Sequence, residues 1–549
     1  MPHRARRWIV PGWSILLATV VLGPLIGSGW VLLLDWVVGP RSVFSDRILS
    51  GNSLPAGPVF FGTAALLETV IGGAVGWVLP MVLLVVGGIG AANLVRQDGS
   101  GVSTLAACTA STAYIWNPFV HERLYSGQLA VLAGYAALPY LLALSLRAVI
   151  QPSSTVGFRG KLRHFAPGAV WALAAAASIH YAILGGIVVA VVGAVGWASG
   201  HGARRGALRW TVSVTAFAVL LTAAWLLPVI DEAPPTGNQQ TIAAFATRAD
   251  PNLGLAGGVA LQTGFWRPSP GEPNSTLGWW WPFVGGFLGG AALIGLFALA
   301  QSNQKPNQKR CALVAGTLGL IGWLFGQGGN GPIGQIFRVL TDVPTFRVMR
   351  EAGKFVALLS LAWAVGLAGC ADLVVRSFRA FDKSVVQRTL RVLSWFVLVL
   401  PIGLSPGLAW GVGGRLRTAH YPPAWSAIQR ELNRHPSGDL IVLPFVGYVD
   451  PGFTDNRVVR SPAKAFFGSR VVLSDDPQVA GLPPSPSTRT ISAALNSDTP
   501  GRLLAELGIG WVVAASNDAP TPDFKLVMSK DNWALLRVKA FRPEPGTKA

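Results

Sequence analysis

Apolar runs of 18 or more residues recur along this 549-residue chain, and no other feature narrows its fold as much. About 20 helical residues, rising about 1.5 Å each, cross the roughly 30 Å hydrocarbon layer of a bilayer. Inside lipid a backbone satisfies its own N–H and C=O groups only as helix or closed barrel. The runs show no alternation of the kind strands require. The sequence therefore predicts an α-helical polytopic membrane protein. About eleven spans are expected, near 12–34, 74–95, 101–117, 128–147, 165–182, 183–200, 208–228, 277–300, 311–327, 354–375 and 390–410. The stretch 165–200 is nearly continuous, and its break is placed at Leu184–Gly186.

Charge sets the expected orientation. The chain is only 13% charged yet carries a formal net charge of +19. Its cations sit in the gaps between spans rather than on one domain, which argues against nucleic acid as a partner. With the N-terminus inside, the inner segments hold nineteen Lys and Arg against two acids, Asp98 and Asp382. The positive-inside rule then places the N-terminus in the cytoplasm and everything after 410 outside. The basic flank MPHRARRW lacks a small-residue cleavage site and predicts an uncleaved first helix. Cys108, Cys311 and Cys370 have no metal-ligand spacing and read as packing residues.

Three outer segments are long, 35–73, 229–276 and 328–353, and long loops more often carry function than simple connection. Within the first, Pro58–Gly72 is apolar enough to lie along the interface, as a lid with or without a catalytic part. Residues 1–411 form the expected transmembrane domain. Residues 412–549 read as a small extracytoplasmic α/β domain, with helices at AWSAIQRELNRH and RLLAELG and strands at DLIVLPF, RVVLSD, GIGWVVAAS and WALLRV. Its Trp425 and Trp511 suit either sugar stacking or the core.

The spans carry no ionisable residue at mid-depth, which argues against a coupled transporter. Charges gather instead at their expected outer ends. Trp30–Arg47 is expected to leave the first helix carrying Asp35, Arg41 and Asp46. In FRVMREAGKF, Arg347, Arg350 and Lys354 have the spacing of one helical face, suited to a phosphate at the headgroup level or to lipid headgroups. Glu351 in the same turn is placed to orient an arginine. WNPFVHERLYSGQ reads as a tight turn opening on Asn117-Pro118, with Glu122 and Arg123 pairing with other loops. His180 ends the fifth expected span, either as a packing residue or as a hydrogen-bonding partner for substrate. No P-loop, HExxH, CxxC or GxSxG element occurs.

The phrases LLDWVVGPR, WNPFVHERLYSGQLAVLAGYAALP, FRVMREAGKF and LAELGIGWVVA, in this layout, resemble the GT-C class of membrane glycosyltransferases. Large cell-envelope arabinofuranosyl- and mannosyltransferase-like proteins are the nearest resemblance. It implies transfer of a sugar from a polyprenyl-phosphate donor to a cell-envelope glycan or glycolipid on the outer face of the cell membrane. It also implies Asp35 as base, Asp46 as alternative base or metal partner, and Arg347, Arg350 and Lys354 as a phosphate clamp. Glu122, Arg123, His180 and Glu351 would support them, and a divalent cation stays open as cofactor. The class usually has adjacent acids in its first outer loop; here Asp35 and Asp46 stand apart. A non-catalytic envelope polysaccharide assembly or export protein with the same fold is the alternative.

Overall fold

The computed structural model describes residues 7–41, 44, 57–97, 102–150, 158–199, 201–231, 239–301, 306–379, 396–468, 470–479, 482–515 and 522–542. Asp46 lies outside the described residues. The chain divides into two compact units. The first comprises Met1–Pro24, Gly51–Thr63 and Val78–Leu416; the second comprises Leu25–Ser50, Ala64–Trp77 and Arg417–Ala549.

The first unit is helical. Its main elements in chain order are α1 (Ile9–Leu22), α2 (Pro58–Ile71), α3 (Val75–Val95), α4 (Thr104–Ile115), α5 (Pro118–Tyr125), α6 (Leu129–Ile150), α7 (Phe158–Ala177) and α8 (His180–Ala198). They continue with α9 (His201–Asp231), α10 (Trp281–Ala300), α11 (Pro306–Gly326), α12 (Gly334–Asp342) and α13 (Val356–Arg379). Parts of α2 and α3, residues 64–77, cluster with the second unit. Among the described residues six helices are long and apolar enough to cross a membrane. A seventh is added if Phe396–Leu404 and Pro406–Gly414, bent by 88°, count as one span.

The expected count of about eleven is not reached by that measure. At 12 residues α4 is only about 18 Å long, short of a bilayer's hydrocarbon core. The first helix also ends early: α1 passes into a single 3-10 turn at Gly23–Leu25, and Trp30 and Leu32 are extended. The stretch expected to begin as a helix end is therefore not helical. Pro58–Gly72, expected as an interfacial lid, is largely helix α2, followed by a 3-10 turn into α3. The break in 165–200 falls at Ser178–Ile179, six residues before the expected place.

The best-buried long helix is α13, which packs on α4, α10 and α11. Its approach to α10 is backbone to backbone. A Cβ on Gly295 would fall inside contact range of Gly366 O and Cys370 N, and one on Gly366 would meet Ala292 O. Such small-residue seams allow close van der Waals packing where lipid gives no hydrophobic drive.

In the second unit, β1 (Asp439–Val442), β4 (Ile509–Ala515), β6 (Trp533–Val538) and β5 (Phe524–Lys530) form a sheet in the order β1-β4-β6-β5. The β1–β4 pair is parallel and the other two are antiparallel. RVVLSD forms only a one-residue bridge, Val471 to Leu440, rather than a strand. A second ladder joins β2 (Tyr448–Val449) to β3 (Val459–Arg460). Around the main sheet lie α14 (Pro423–Arg434), α15 (Ala463–Phe467), α16 (Pro486–Leu495) and α17 (Pro500–Glu506). Trp425 and Trp511 are 1% and 2% exposed, so both are core residues and neither can stack on a sugar in this state.

Candidate functional site

The candidate site of the first unit is built on α5. Its sequence start is a helix cap rather than a tight turn: the Asn117 side chain accepts from Val120 N at 2.9 Å, and Pro118 takes the first helical position. Both choices fit a helix N-terminus, where orphan N–H groups need an acceptor and proline loses nothing. The Asn117 amide also donates to Ala113 O and Tyr114 O, which locks α5 to the end of α4.

Three consecutive residues of α5 then reach three different segments. His121 is nearly fully buried, between Ser405 Oγ and Pro270 O, each at 2.9 Å. A carbonyl only accepts, so Nε2 carries the proton and Nδ1 accepts from the serine. Burial, only partly opposed by the Pro270 bond, pulls this imidazole down to about 4 and keeps it neutral. Glu122 accepts from Phe265 N at 3.3 Å. Burial, against the opposing charge of Arg123, pushes its carboxyl up to about 8, so it is protonated at neutral pH. Arg123 has no exposed side-chain surface and pairs with Glu351, while its Nη1 also donates to Gln128 at 2.6 Å. The guanidinium carbon lies 5.0 Å and 4.6 Å from the Phe119 and Phe265 ring centres.

Glu351 also holds Lys354, Nζ to Oε2 at 3.0 Å. Burial alone would raise the Glu351 carboxyl, but Arg123 and Lys354 outweigh it and hold the group at about 2. The cationic segment does not form the single helical face its spacing predicts. Arg347–Arg350 and Ala352–Phe355 are two 3-10 turns that meet at Glu351, whose ψ of 89° breaks the helix. Lys354 is consequently buried against Glu351. Arg350 packs over Phe245, 5.3 Å from the ring centre, and Arg347 donates to Asp342 O at 3.3 Å. His180 begins α8 rather than ending a span; its Nδ1 shares a proton with Ser178 Oγ at 2.8 Å.

Among the described residues this cluster holds three buried or half-buried cations, Arg123, Arg350 and Lys354, against one ionised carboxylate, Glu351. Nε and Nη2 of Arg123 are buried without a hydrogen-bond partner. Uncompensated buried positive charge is costly unless an anion joins it. Gly353 stands beside this guanidinium, where a Cβ would lie 3.3 Å from Nη2. Sequence reasoning found Glu122, Arg123 and Glu351 but not His121, whose only sequence signal was its place beside them. Behind His121, a groove of about 700 Å³ is lined by Ser269, Ser275, Thr276 and Arg415 among others.

Asp35 belongs to the second unit. It sits half-buried in a tight reversal closed by Leu33 N to Trp36 O at 2.8 Å and by the Leu32–Val37 bridge. Tyr448 donates to its Oδ1 at 2.7 Å. No group of three or more His, Cys, Asp or Glu suited to a metal occurs among the described residues.

No family model and no curated protein matches the sequence. Solved structures do match. The arabinofuranosyltransferase AftD from Mycobacteria superposes with a TM-score of 0.60 at 14% identity, over 98% of this chain and 40% of that one. The Archaeoglobus fulgidus oligosaccharyltransferase, in complex with zinc and sulfate, superposes with a TM-score of 0.50 at 11% identity, over 92% of this chain and 68% of that one. The chain thus spans less than half the length of the mycobacterial protein. With membrane-spanning helices and these neighbours, it carries the GT-C fold.

Proposed function

We propose that the protein is a membrane glycosyltransferase that moves a sugar from a polyprenyl-phosphate donor to a cell-envelope glycan or glycolipid on the outer face of the membrane. The observation that carries this reading is the surplus of positive charge around Arg123, with two buried guanidinium nitrogens left for an anion. Arg350 and Lys354 would hold the donor phosphate with it. Arg347 would meet the same phosphate from the more exposed end of its segment. In the transfer, the acceptor hydroxyl oxygen bonds to the anomeric carbon and gives its proton to Asp35. The carbon–oxygen bond to phosphate breaks, and its electron pair leaves with the phosphate. Such a leaving group needs cations more than a general acid. The hydroxyls and guanidinium of the groove offer the polar groups a saccharide acceptor needs.

The test is transfer from a radiolabelled polyprenyl-phosphate sugar by purified protein. Asp35→Asn is expected to abolish transfer, by about 10³-fold or more, while insertion and expression stay normal. Full activity in that variant would remove the base assignment. The absence of an adjacent acid pair favours a second reading, a non-catalytic assembly or export protein with the same fold. It predicts donor binding without transfer.

A further inference from the structure

We infer that Tyr448 is a positioning residue for the Asp35 carboxylate, so that the C-terminal segment takes part in the transfer step itself. This rests on the reading of Asp35 as the base. The two residues are 413 positions apart, yet the Tyr448 hydroxyl donates to Asp35 Oδ1 at 2.7 Å within one compact unit. The bond is the polar centre of a longer seam. Trp30 and Ala419 exchange backbone hydrogen bonds at 2.8 Å in both directions. Arg460 N, whose residue pairs with Tyr448 in the β2–β3 ladder, donates to Leu34 O at 2.8 Å. Arg41 N donates to Ala465 O at 2.9 Å. The sequence after the first helix is thus stitched on both sides of Asp35 to residues 419–465.

The seam does not need the tyrosine for anchorage. Trp36 is 2% exposed, stacks on Phe44 with ring centres 4.6 Å apart, and donates to Gly76 O at 3.2 Å; Leu32 and Val38 are fully buried. Those contacts fix the backbone of the reversal. They do not touch the carboxylate itself, and a base acts only when its oxygen lies within hydrogen-bond reach of the proton it takes. The Tyr448 hydroxyl holds Oδ1 directly and so directs the carboxylate. A phenol, with an ordinary value near 10, does this without competing for the acceptor's proton.

The experiment compares wild type, Tyr448→Phe and Asp35→Asn with a polyprenyl-phosphate sugar in single-turnover mode. Rates are normalised to the donor each preparation binds, so any misfolded fraction drops out. Tyr448→Phe is expected to lower the rate constant about tenfold, with donor affinity and unfolding temperature unchanged. A purely structural tyrosine would lower the unfolding temperature and the amount of donor bound, but not the normalised rate. An unchanged normalised rate in Tyr448→Phe, with Asp35→Asn inactive, overturns this inference and leaves the base reading standing. Full transfer by Asp35→Asn overturns both.

Discussion

Glu351 and Glu122 lie in one buried cluster and respond to pH in opposite directions. Glu351 is held near 2 by two cations, so its ionised form favours the folded state. That contribution is complete above the ordinary value of about 4.3 and is lost as pH falls from there through about 2. Glu122 is raised to about 8, so its ionisation favours the unfolded chain, and stability declines as pH rises from about 4.3 to 8. Thermal unfolding against pH should show Glu122→Gln abolishing the neutral-range decline, because the amide mimics the protonated acid. Glu351→Gln should cost about 3–5 kcal/mol at pH 7, since it strands Arg123 and Lys354 in a buried setting. A loss under about 1 kcal/mol would mean that the cluster is hydrated and its charges are not buried in solution. The pairing of Glu351 with an arginine was legible in sequence, but the partner was not. Its place in that turn suggested an arginine without saying which, and the arginine is 228 residues away on α5.

At the scale of elements, hydrophobic length located most of the helices, but composition gave no sign that residues 25–50 and 64–77 cluster with Arg417–Ala549. Local geometry was harder to read. The 3.6-residue spacing of Arg347, Arg350 and Lys354 is real, but Glu351 meets Arg123 and Lys354 at the junction of two 3-10 turns, and tertiary context overrides propensity. Strand β5 has no strand signal in the sequence because it lies at the edge of its sheet, with Lys525 and Lys530 exposed and only Phe524 buried. The α10–α13 seam was invisible because glycine in a spanning run has no single meaning. There, Gly295→Leu should destabilise the protein by at least about 1–3 kcal/mol, because the obstructing atoms are backbone and cannot swing aside. Gly290→Leu, which meets nothing within 4 Å, should cost far less. Equal unfolding temperatures for the two would show that the helices part easily.

For the molecule as a whole, the proposed donor predicts a ligand effect independent of turnover. A polyprenyl phosphate without sugar, at 100 times its dissociation constant, should stabilise the protein by about 2.7 kcal/mol. The unphosphorylated polyprenol should not. Arg350→Ala should reduce the shift, and a shift of equal size with the bare alcohol would show that the lipid tail, not the phosphate, is recognised. The GT-C fold was legible from the order of spans, long loops and C-terminal α/β elements, even though pairwise identity to the solved neighbours is only 11–14%. Side chains diverge freely where lipid is the only neighbour; geometry at the buried charges cannot. That contrast bears on α5, where His121, Glu122 and Arg123 between them grip three separate segments, at 265–270, 351 and 405. One residue added between Asn117 and Arg123 would swing the guanidinium by about 100° and lift it about 1.5 Å along the axis, away from Glu351. Point changes nearby can be absorbed by repacking, but an insertion or deletion inside this short helix has no neighbour able to compensate for it.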